Sequence, residues 1–480
     1  MHFTKTSILA GLQCHKHLHL SVHHPERASR VVSPMMITGE VVEQHARREF
    51  GDAVSVARHG ATDPVAMTQS LIADRNIKVI FQAALRHAAV EVLVDVLQRA
   101  GAGWNLVEIK AASGIKDYHI DDVAIQAWVA LNAGLTMQSF KLMHINADFA
   151  YPGQHDYAGL FLMEDVSERV LAHLPFIESQ LELFRHVVAG PQPDIHLGSY
   201  CKHPHPCEFK TYCESVDAAY PVSILPHGQK LISQLIAQGI YDVRDIPVEI
   251  LRSEIHLKVR NITRAGKAEL DSQAANILKR LDYPRYFLDF ECIQFAIPVW
   301  AGTQSYQQIP FQFSCHCESA QGELSHREFL DVSGREPRRQ FAEALITACG
   351  ERGPVIVYNQ AFEKRVIKEL AHRFPDLSGA LLAINARVFD LLPVVKQHYY
   401  HPAMQGSWSI KKVLPCLVPE LAYDALGEVQ DGIEAQQAFL RIYNGDLTAQ
   451  QRDQLVADLR AYCALDTLAM VKIAQRLQSA

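Results

Sequence analysis

The chain has 480 residues, of which 48% are hydrophobic and 21% charged, and a formal net charge of −7. That length exceeds one ordinary core, so at least two domains are expected, and the composition excludes extensive disorder. No run of about 18 apolar residues occurs, which excludes an ordinary membrane-spanning helix. The short apolar patch Ile8–Leu12, interrupted by Gly11, does not read as a signal peptide, so a cytoplasmic location is expected. The acidic balance leaves a nucleic-acid partner open, because phosphate affinity depends on where Lys and Arg stand rather than on their total.

The expected boundaries are 1–216, 217–282 and 283–480. In the first region, Leu93–Leu97 reads as a strand with Asp95 inside an apolar run. The turn Gly101-Ala102-Gly103 follows, and Trp104–Lys110 forms a second strand ending in Glu108-Ile109-Lys110. A carboxylate inside an apolar strand needs a partner, since an unpaired buried charge is costly. Asp121-Asp122 then opens a helix that carries Gln126.

Ten cysteines in a cytoplasmic chain read as thiols or metal ligands rather than disulfides. Cys14 stands alone, Cys201, Cys207 and Cys213 form a cluster with His-Pro-His-Pro between its first two members, and six more lie beyond residue 290. The second region reads as short helices, Gly228–Gln238, Val248–Leu257 and Gly266–Leu281. Arg252, Lys258, Arg260, Arg264 and Lys267 make it locally basic, which suits either backbone contact with nucleic acid or a solvated face.

The third region opens with the apolar strand Tyr286–Phe290. Strand patterns follow at Phe311–Cys315, Arg327–Leu330 and Pro354–Tyr358, with helical patterns at Gln340–Cys349, Glu363–Arg373 and Arg452–Arg476. Strands first, then strand and helix in alternation, predict a mixed sheet with covering helices. Asp289 and Glu291 share one face of the first strand, near its end. Two carboxylates aimed at one point repel unless a cation holds them, and a divalent metal is the usual answer. Asn359 and Glu363 follow a buried strand into a helix, and Tyr462 and Asp466 share one face of the last helix. Asp390 reads either as a supporting acid or as a helix N-cap.

That order of acids over residues 286–470 resembles the tyrosine-bearing branch of the DEDD exonuclease superfamily, which has a ribonuclease H-like fold. The resemblance implies that Asp289, Glu291 and Asp466 bind two divalent metals, Mg²⁺ or Mn²⁺, and that Tyr462 orients the attacking water. Glu363 takes the second-motif position, where the superfamily usually has Asp. Such a metal pair activates water and neutralises the leaving oxygen.

In the N-terminal region, Asp95 followed by Glu108-Ile109-Lys110 resembles the PD-(D/E)XK nucleases. There the two acids hold metal and the lysine positions the nucleophile or stabilises developing negative charge. The RecB-like branch adds a Gln-x-x-x-Tyr helix, matched by Gln126, with Ala130 in place of the tyrosine. Cys14 with Cys201, Cys207 and Cys213 resembles the iron–sulfur nucleases of that branch, which implies a [4Fe–4S] cluster. Zinc is the runner-up, with His203 or His205 able to contribute.

The combination is similar to a bacterial family of uncharacterised proteins. Phe287–Glu291, Ile309–Ser314, Gly406–Lys411 and Tyr462–Thr467 carry that likeness. It implies an α/β chain: a restriction-endonuclease-like N-terminal domain, a helical connector with a helix-hairpin-helix-like reading, and a ribonuclease H-like C-terminal domain. The expected function is phosphodiester hydrolysis, with a 3′–5′ exonuclease site in the C-terminal domain and a second nuclease site in the N-terminal one. DNA is preferred to RNA as substrate, and no membrane is involved. RNA processing, or an iron–sulfur scaffold with decayed active sites, are the alternatives.

Overall fold

The computed structural model describes residues 2–29, 34–56, 63–421, 423, 426–445 and 447–479. The chain is mixed α/β and divides into two units: unit 1 takes the residues up to Ala218 together with Phe295–Tyr306, and unit 2 takes Ala219–Gln294 and the residues from Gln307 on. Residues 217–282 therefore fall almost wholly within unit 2 rather than standing apart, and residues 295–306 fall in unit 1. No helix among the described residues is long and apolar enough to cross a membrane.

Unit 1 is built on a seven-stranded sheet in which Val54–Ser55, Val79–His87, Val90–Ala100, Gly103–Lys110, Met137–Ile145 and Phe161–Asp165 lie side by side in chain order, with Phe3–Thr4 pairing Val90–Ala100. The first long hairpins are antiparallel. Gly103–Lys110 and Met137–Ile145 run parallel, joined through the helix Asp117–Asn132. The sheet is buried on both faces: Val92, Val94, Leu106 and Leu142 belong to one apolar cluster, and Val96, Val107, Ile109 and Met143 to another. β-branched side chains suit a pleated surface filled on both sides. The buried face switches at Asp95, between Val94 and Val96. Opposite it, Gln82 takes a φ of 53° and drops out of the ladder that pairs Phe81 with Val96 and Ala83 with Val94. An interruption of this kind re-aims a side chain, and here the side chain is a carboxylate.

Unit 2 has a five-stranded sheet ordered Leu324–Leu330, Ile309–Glu318, Arg285–Ile293, Val355–Val357, Val388–Asp390. The first three strands are antiparallel, and the last two join parallel. Tyr286, Leu288, Phe290 and Cys292 point into an apolar cluster shared with the helices Arg338–Cys349 and Ala361–Arg373. With a period of two, Phe287, Asp289 and Glu291 point the other way. That side carries the helix Ala449–Gln478, started by a Thr448/Gln451 capping box. Gln312 Nε2 donates to the Leu459 carbonyl at 2.7 Å, and Thr467 Oγ1 lies 2.7 Å from His316 Nδ1, so the helix is pinned to the sheet by buried polar contacts. The register of Ile309–Glu318 shifts between Pro310 and Gln312, beside Glu291.

The expected elements of the third region recur with ends moved by up to three residues. The expected helix Val248–Leu257 is corrected. A single turn, Val248–Ile250, is followed by a break, and the helix Glu254–Ala265 starts only after Ser253, which holds extended dihedrals, and ends at Gly266 in the left-handed region. The expected helix Gly266–Leu281 is likewise a short strand, Glu269–Leu270, and the helix Gln273–Lys279.

Candidate functional site

In unit 2, three elements bring four carboxyl groups together. Asp289 and Glu291 come from the central strand, Glu363 from the first turn of Ala361–Arg373, and Asp466 from the long helix. One oxygen each of Asp289 and Glu291 and the sulfur of Cys463 lie within 4.8 Å of one another. Glu291, Glu363 and Asp466 are buried, and the Glu363 Oε2 has no hydrogen-bond partner.

Burial and then Asp466, Glu291 and Glu363 in turn push Asp289 well above the ordinary carboxylate range. Burial and Asp466 push Glu291 up to about 8 against the pull of Lys411. Burial, with Asp390 beside it, pushes Glu363 up to about 8. Asp466 is raised by burial, although hydrogen bonds from Tyr423 and Tyr462 oppose the rise. Neighbouring acids thus raise Asp289 and Glu291, burial raises all four, and Lys411 opposes the rise at Glu291 and Asp466.

Tyr462 sits one turn before Asp466 and hydrogen-bonds to it, as the i, i+4 spacing predicts. Tyr423 also donates to Asp466, through Oδ1. The Lys411 ammonium stands 5.2 Å from the Tyr462 ring and 5.6 Å from the Tyr423 ring and donates to the Gln430 carbonyl. Tyr423 carries no sequence signal that could have marked it. Lys411 closes the motif Gly406–Lys411 but had no assigned role. Asp390 is the N-cap of Leu391–His398, donated to by the Leu392 amide, and it also accepts from the amides of Asn359 and Gln360. It thereby fixes the loop that leads to Glu363.

In unit 1, Asp95, Glu108, Lys110 and Gln126 also converge. Lys110 Nζ donates to Glu108 Oε1 at 2.7 Å and to Asp122. Gln126 Nε2 reaches Glu108 Oε2 at 2.7 Å and Asp122 Oδ1 at 3.1 Å. Asp95 accepts from the Ile109 amide at 3.0 Å and from Gln82 Nε2 at 3.2 Å, and Gln82 also donates to Glu43. Burial and Glu108 push Asp95 up to about 7, with Lys5 opposing. Asp122 goes the other way: burial would raise it, but Lys110 and Lys5 hold it well below the usual range.

Two members were missed at the sequence level. Asp122 was read only as a helix start, although it lies one turn before Gln126. Lys5 has no local pattern at all, yet its Nζ lies 2.9 Å from both Glu108 Oε1 and Asp122 Oδ1. Ala130 is fully buried in the apolar cluster.

Cys14, Cys201, Cys207 and Cys213 line one cavity, with Lys16, Tyr200 and Phe209 around them. All four are free thiols whose proton affinity burial raises, Cys207 up to about 12. Backbone amides help hold the sulfurs: His17 and Lys16 on Cys14, Gly198 on Cys201, Phe209 on Cys207. His17 and His196 border this cavity, and His203 and His205 do not. Four thiols, three of them with amide support, and no carboxylate on the cavity wall form a donor set that fits a thiolate-ligated metal group.

The basic segment offers less than its composition promised. Lys258 donates to the Gln397 carbonyl and Arg260 to the Ile246 carbonyl at 3.0 Å, so both serve the local fold.

Residues 286–409 match a family described as "Domain of unknown function (DUF2779)". The match takes in Asp289, Glu291 and Glu363 and stops short of Lys411, Tyr462 and Asp466. The chain is also similar to an uncharacterized protein of Ureaplasma parvum serovar 3, 24% identical over 247 residues, 47% of this chain and 36% of that protein. A second relative, an uncharacterized protein of Mycoplasma pneumoniae, is 25% identical over 240 residues, 46% of this chain and 36% of its own length. The matched region thus spans just over a third of each of these two relatives.

Proposed function

We propose that the chain is a metal-dependent nuclease, with a 3′–5′ exonuclease site in a ribonuclease H-like unit 2 and a second, PD-(D/E)XK-type site in unit 1. The observation that carries this reading is the convergence of Asp289, Glu291, Glu363 and Asp466 in a buried site that raises the proton affinity of each, with Lys411 as the opposing cation. A sheet of three antiparallel strands followed by two parallel ones, with the acids on the central strand and the last helix, supports the ribonuclease H-like reading.

These four carboxylates would hold Mg²⁺ or Mn²⁺, which when bound supplies an activated water and a counter-charge for the leaving oxygen. Asp289 and Glu291 are set by one strand, so their spacing is rigid. Tyr423 holds Asp466 in place by donating its hydroxyl to Oδ1. Tyr462 presents its hydroxyl beside the same acid, where it can orient water. Lys411 adds positive potential for a phosphate, and burial keeps bulk water away. Single-stranded DNA is the first substrate to test, and RNA the second.

For the cysteines we propose a [4Fe–4S] cluster. Among the described residues, Asp289, Glu291 and Cys463 are the one group of three such ligand atoms within 4.8 Å of one another, so the four thiols lie wider apart than that. Four sulfurs on a single tetrahedral zinc would be roughly 3.8 Å apart, whereas a cluster carrying one thiolate per iron spreads them.

The test is incubation with 5′- or 3′-end-labelled single-stranded DNA and RNA and Mg²⁺ or Mn²⁺. Shortening from the 3′ end, abolished by Asp289→Asn and by Asp466→Asn, is the expected result. Intact DNA and RNA with both metals supplied and the cysteine site loaded would sink the reading.

A further inference from the structure

The lysine expected in unit 1 is Lys110, but the acids there hold two. Lys5 sits at the start of the helix Lys5–Gln13, more than a hundred residues from Glu108, and its Nζ lies 2.9 Å from Glu108 Oε1 and 2.9 Å from Asp122 Oδ1. Lys110 bonds the same Glu108 oxygen and the other oxygen of Asp122. The two ammonium groups therefore bracket the two carboxylates, and Gln126 closes the square from the helix side.

Thr4 fixes where Lys5 starts. Its hydroxyl accepts from the Ser7 amide and the Ser7 hydroxyl faces the Thr4 amide, a capping box that sets the first turn. Phe3, fully buried, is pinned by the pairing of Phe3 with Val90 on the same strand that carries Asp95. A side chain anchored on both flanks does not reach two carboxylates by chance rotation.

Charge counting gives this placement its meaning. Three carboxylates, Asp95, Glu108 and Asp122, face two ammonium groups, and Glu43 is paired separately with Arg47. One negative charge is left, on Asp95, which no lysine touches and which has only neutral donors, Gln82 and the Ile109 amide. Asp122 is fully taken up. Glu108 keeps acceptor capacity, since Oε2 has only the Gln126 amide.

We propose that Lys5 is a positioning residue that stands in for a second cation, so that unit 1 takes a single divalent ion, between Asp95 and Glu108. This rests on reading unit 1 as a metal-dependent site. It also sets unit 1 apart from unit 2, where Lys411 opposes the rise at Glu291 and Asp466 but, among the described residues, no lysine is ion-paired to the acids. With Lys5 in place, Glu108 is held in one orientation and a second metal is kept from the Asp122 side by an ammonium it would have to displace.

The test counts metal. In full-length chain carrying Asp289→Asn and Asp466→Asn, to silence unit 2, Mn²⁺ binding is titrated by electron paramagnetic resonance and by calorimetry. The expected stoichiometry is one Mn²⁺, lost on Asp95→Asn. Adding Lys5→Gln should admit a second Mn²⁺ or tighten the first by at least about tenfold, because a repelling unit charge has left. Lys5→Arg should keep the single site. Two Mn²⁺ bound with Lys5 intact, or unchanged count and affinity in Lys5→Gln, would overturn the role of Lys5 while leaving unit 1 a metal site. No Mn²⁺ sensitive to Asp95→Asn would overturn the metal reading of unit 1 itself, and the role of Lys5 with it. The count with Lys5 intact decides the matter even if Lys5→Gln does not fold.

Discussion

Replacing Glu291 by Gln should stabilise the metal-free protein at pH 8 and do little at pH 5. Glu291 is 7% exposed, and burial together with Asp466 moves its proton affinity from 4.5 to about 8, with Lys411 opposing. The folded state thus binds this proton more tightly than the unfolded state does. Stability from the protonated form is complete below about pH 4.5 and is lost as pH rises to about 8. At about 1.4 kcal/mol per tenfold in proton affinity, ionising Glu291 alone costs at most about 5 kcal/mol, and neighbours that hold protons reduce it. A relief of even ~1.5 kcal/mol raises Tm by roughly 3–6 °C in a unit of this size. The assay is thermal melting of wild type and Glu291→Gln in EDTA at pH 5, 6.5 and 8, repeated with saturating Mn²⁺. With metal the order should invert, because the intact site gains the binding free energy and the variant does not. A variant less stable than wild type in EDTA at pH 8, or a gap between them that does not change with pH, would refute the electrostatic reasoning.

Tyr423→Phe removes the donor that holds Asp466 and should weaken Mn²⁺ binding at unit 2 by about 10–100-fold, measured by calorimetry, with the melting temperature in EDTA little changed. Cys14→Ser should bleach protein purified without oxygen, which is expected to be brown with absorbance near ~400 nm and to contain iron; a colourless protein with stoichiometric zinc would contradict the cluster. Lys110→Ala should leave 3′-end trimming by unit 2 intact while Asp466→Asn abolishes it, read on the same labelled strand; loss of all activity in Lys110→Ala would refute two independent sites.

What could be read from the chain alone was whatever lies close together in it. Asp289 and Glu291 share a strand face, Tyr462 and Asp466 share a helix face, and Glu108 and Lys110 follow the period of two, so short-range geometry announced each pair. Asp122 and Gln126 obey the same rule, but a carboxylate in the first turns of a helix also suits a plain helix start, so the pattern alone does not single Asp122 out. Lys5 and Tyr423 could not be found this way, since each meets its carboxylate only through the tertiary fold. The helix expected over Val248–Leu257 failed for a different reason. Its apolar spacing continues across Leu251–Arg252, while the extended dihedrals at Ser253 begin a new helix there. The sorting of residues 295–306 with unit 1 is equally long-range: the Tyr151 amide donates to the Thr303 carbonyl at 2.9 Å, a contact that no local pattern encodes.

The two acid clusters solve one electrostatic problem in opposite ways. In unit 1, ammonium groups from two separate elements neutralise Glu108 and Asp122, and the charge left over sits on Asp95. In unit 2, Lys411 is the one lysine among the described residues that lowers the proton affinity of Glu291 and Asp466, Glu363 Oε2 has no partner, and Asp466, Glu291 and Glu363 raise the proton affinity of Asp289. A fold keeps so many unpaired carboxylates in its core only if something outside the chain discharges them, because leaving them bare costs stability that a lysine or a glutamine at the same position would recover. Protons can do so in the metal-free chain, and the proton affinities of all four acids are raised accordingly. A divalent cation of the kind we propose would displace those protons and turn the repulsion among the acids into binding energy.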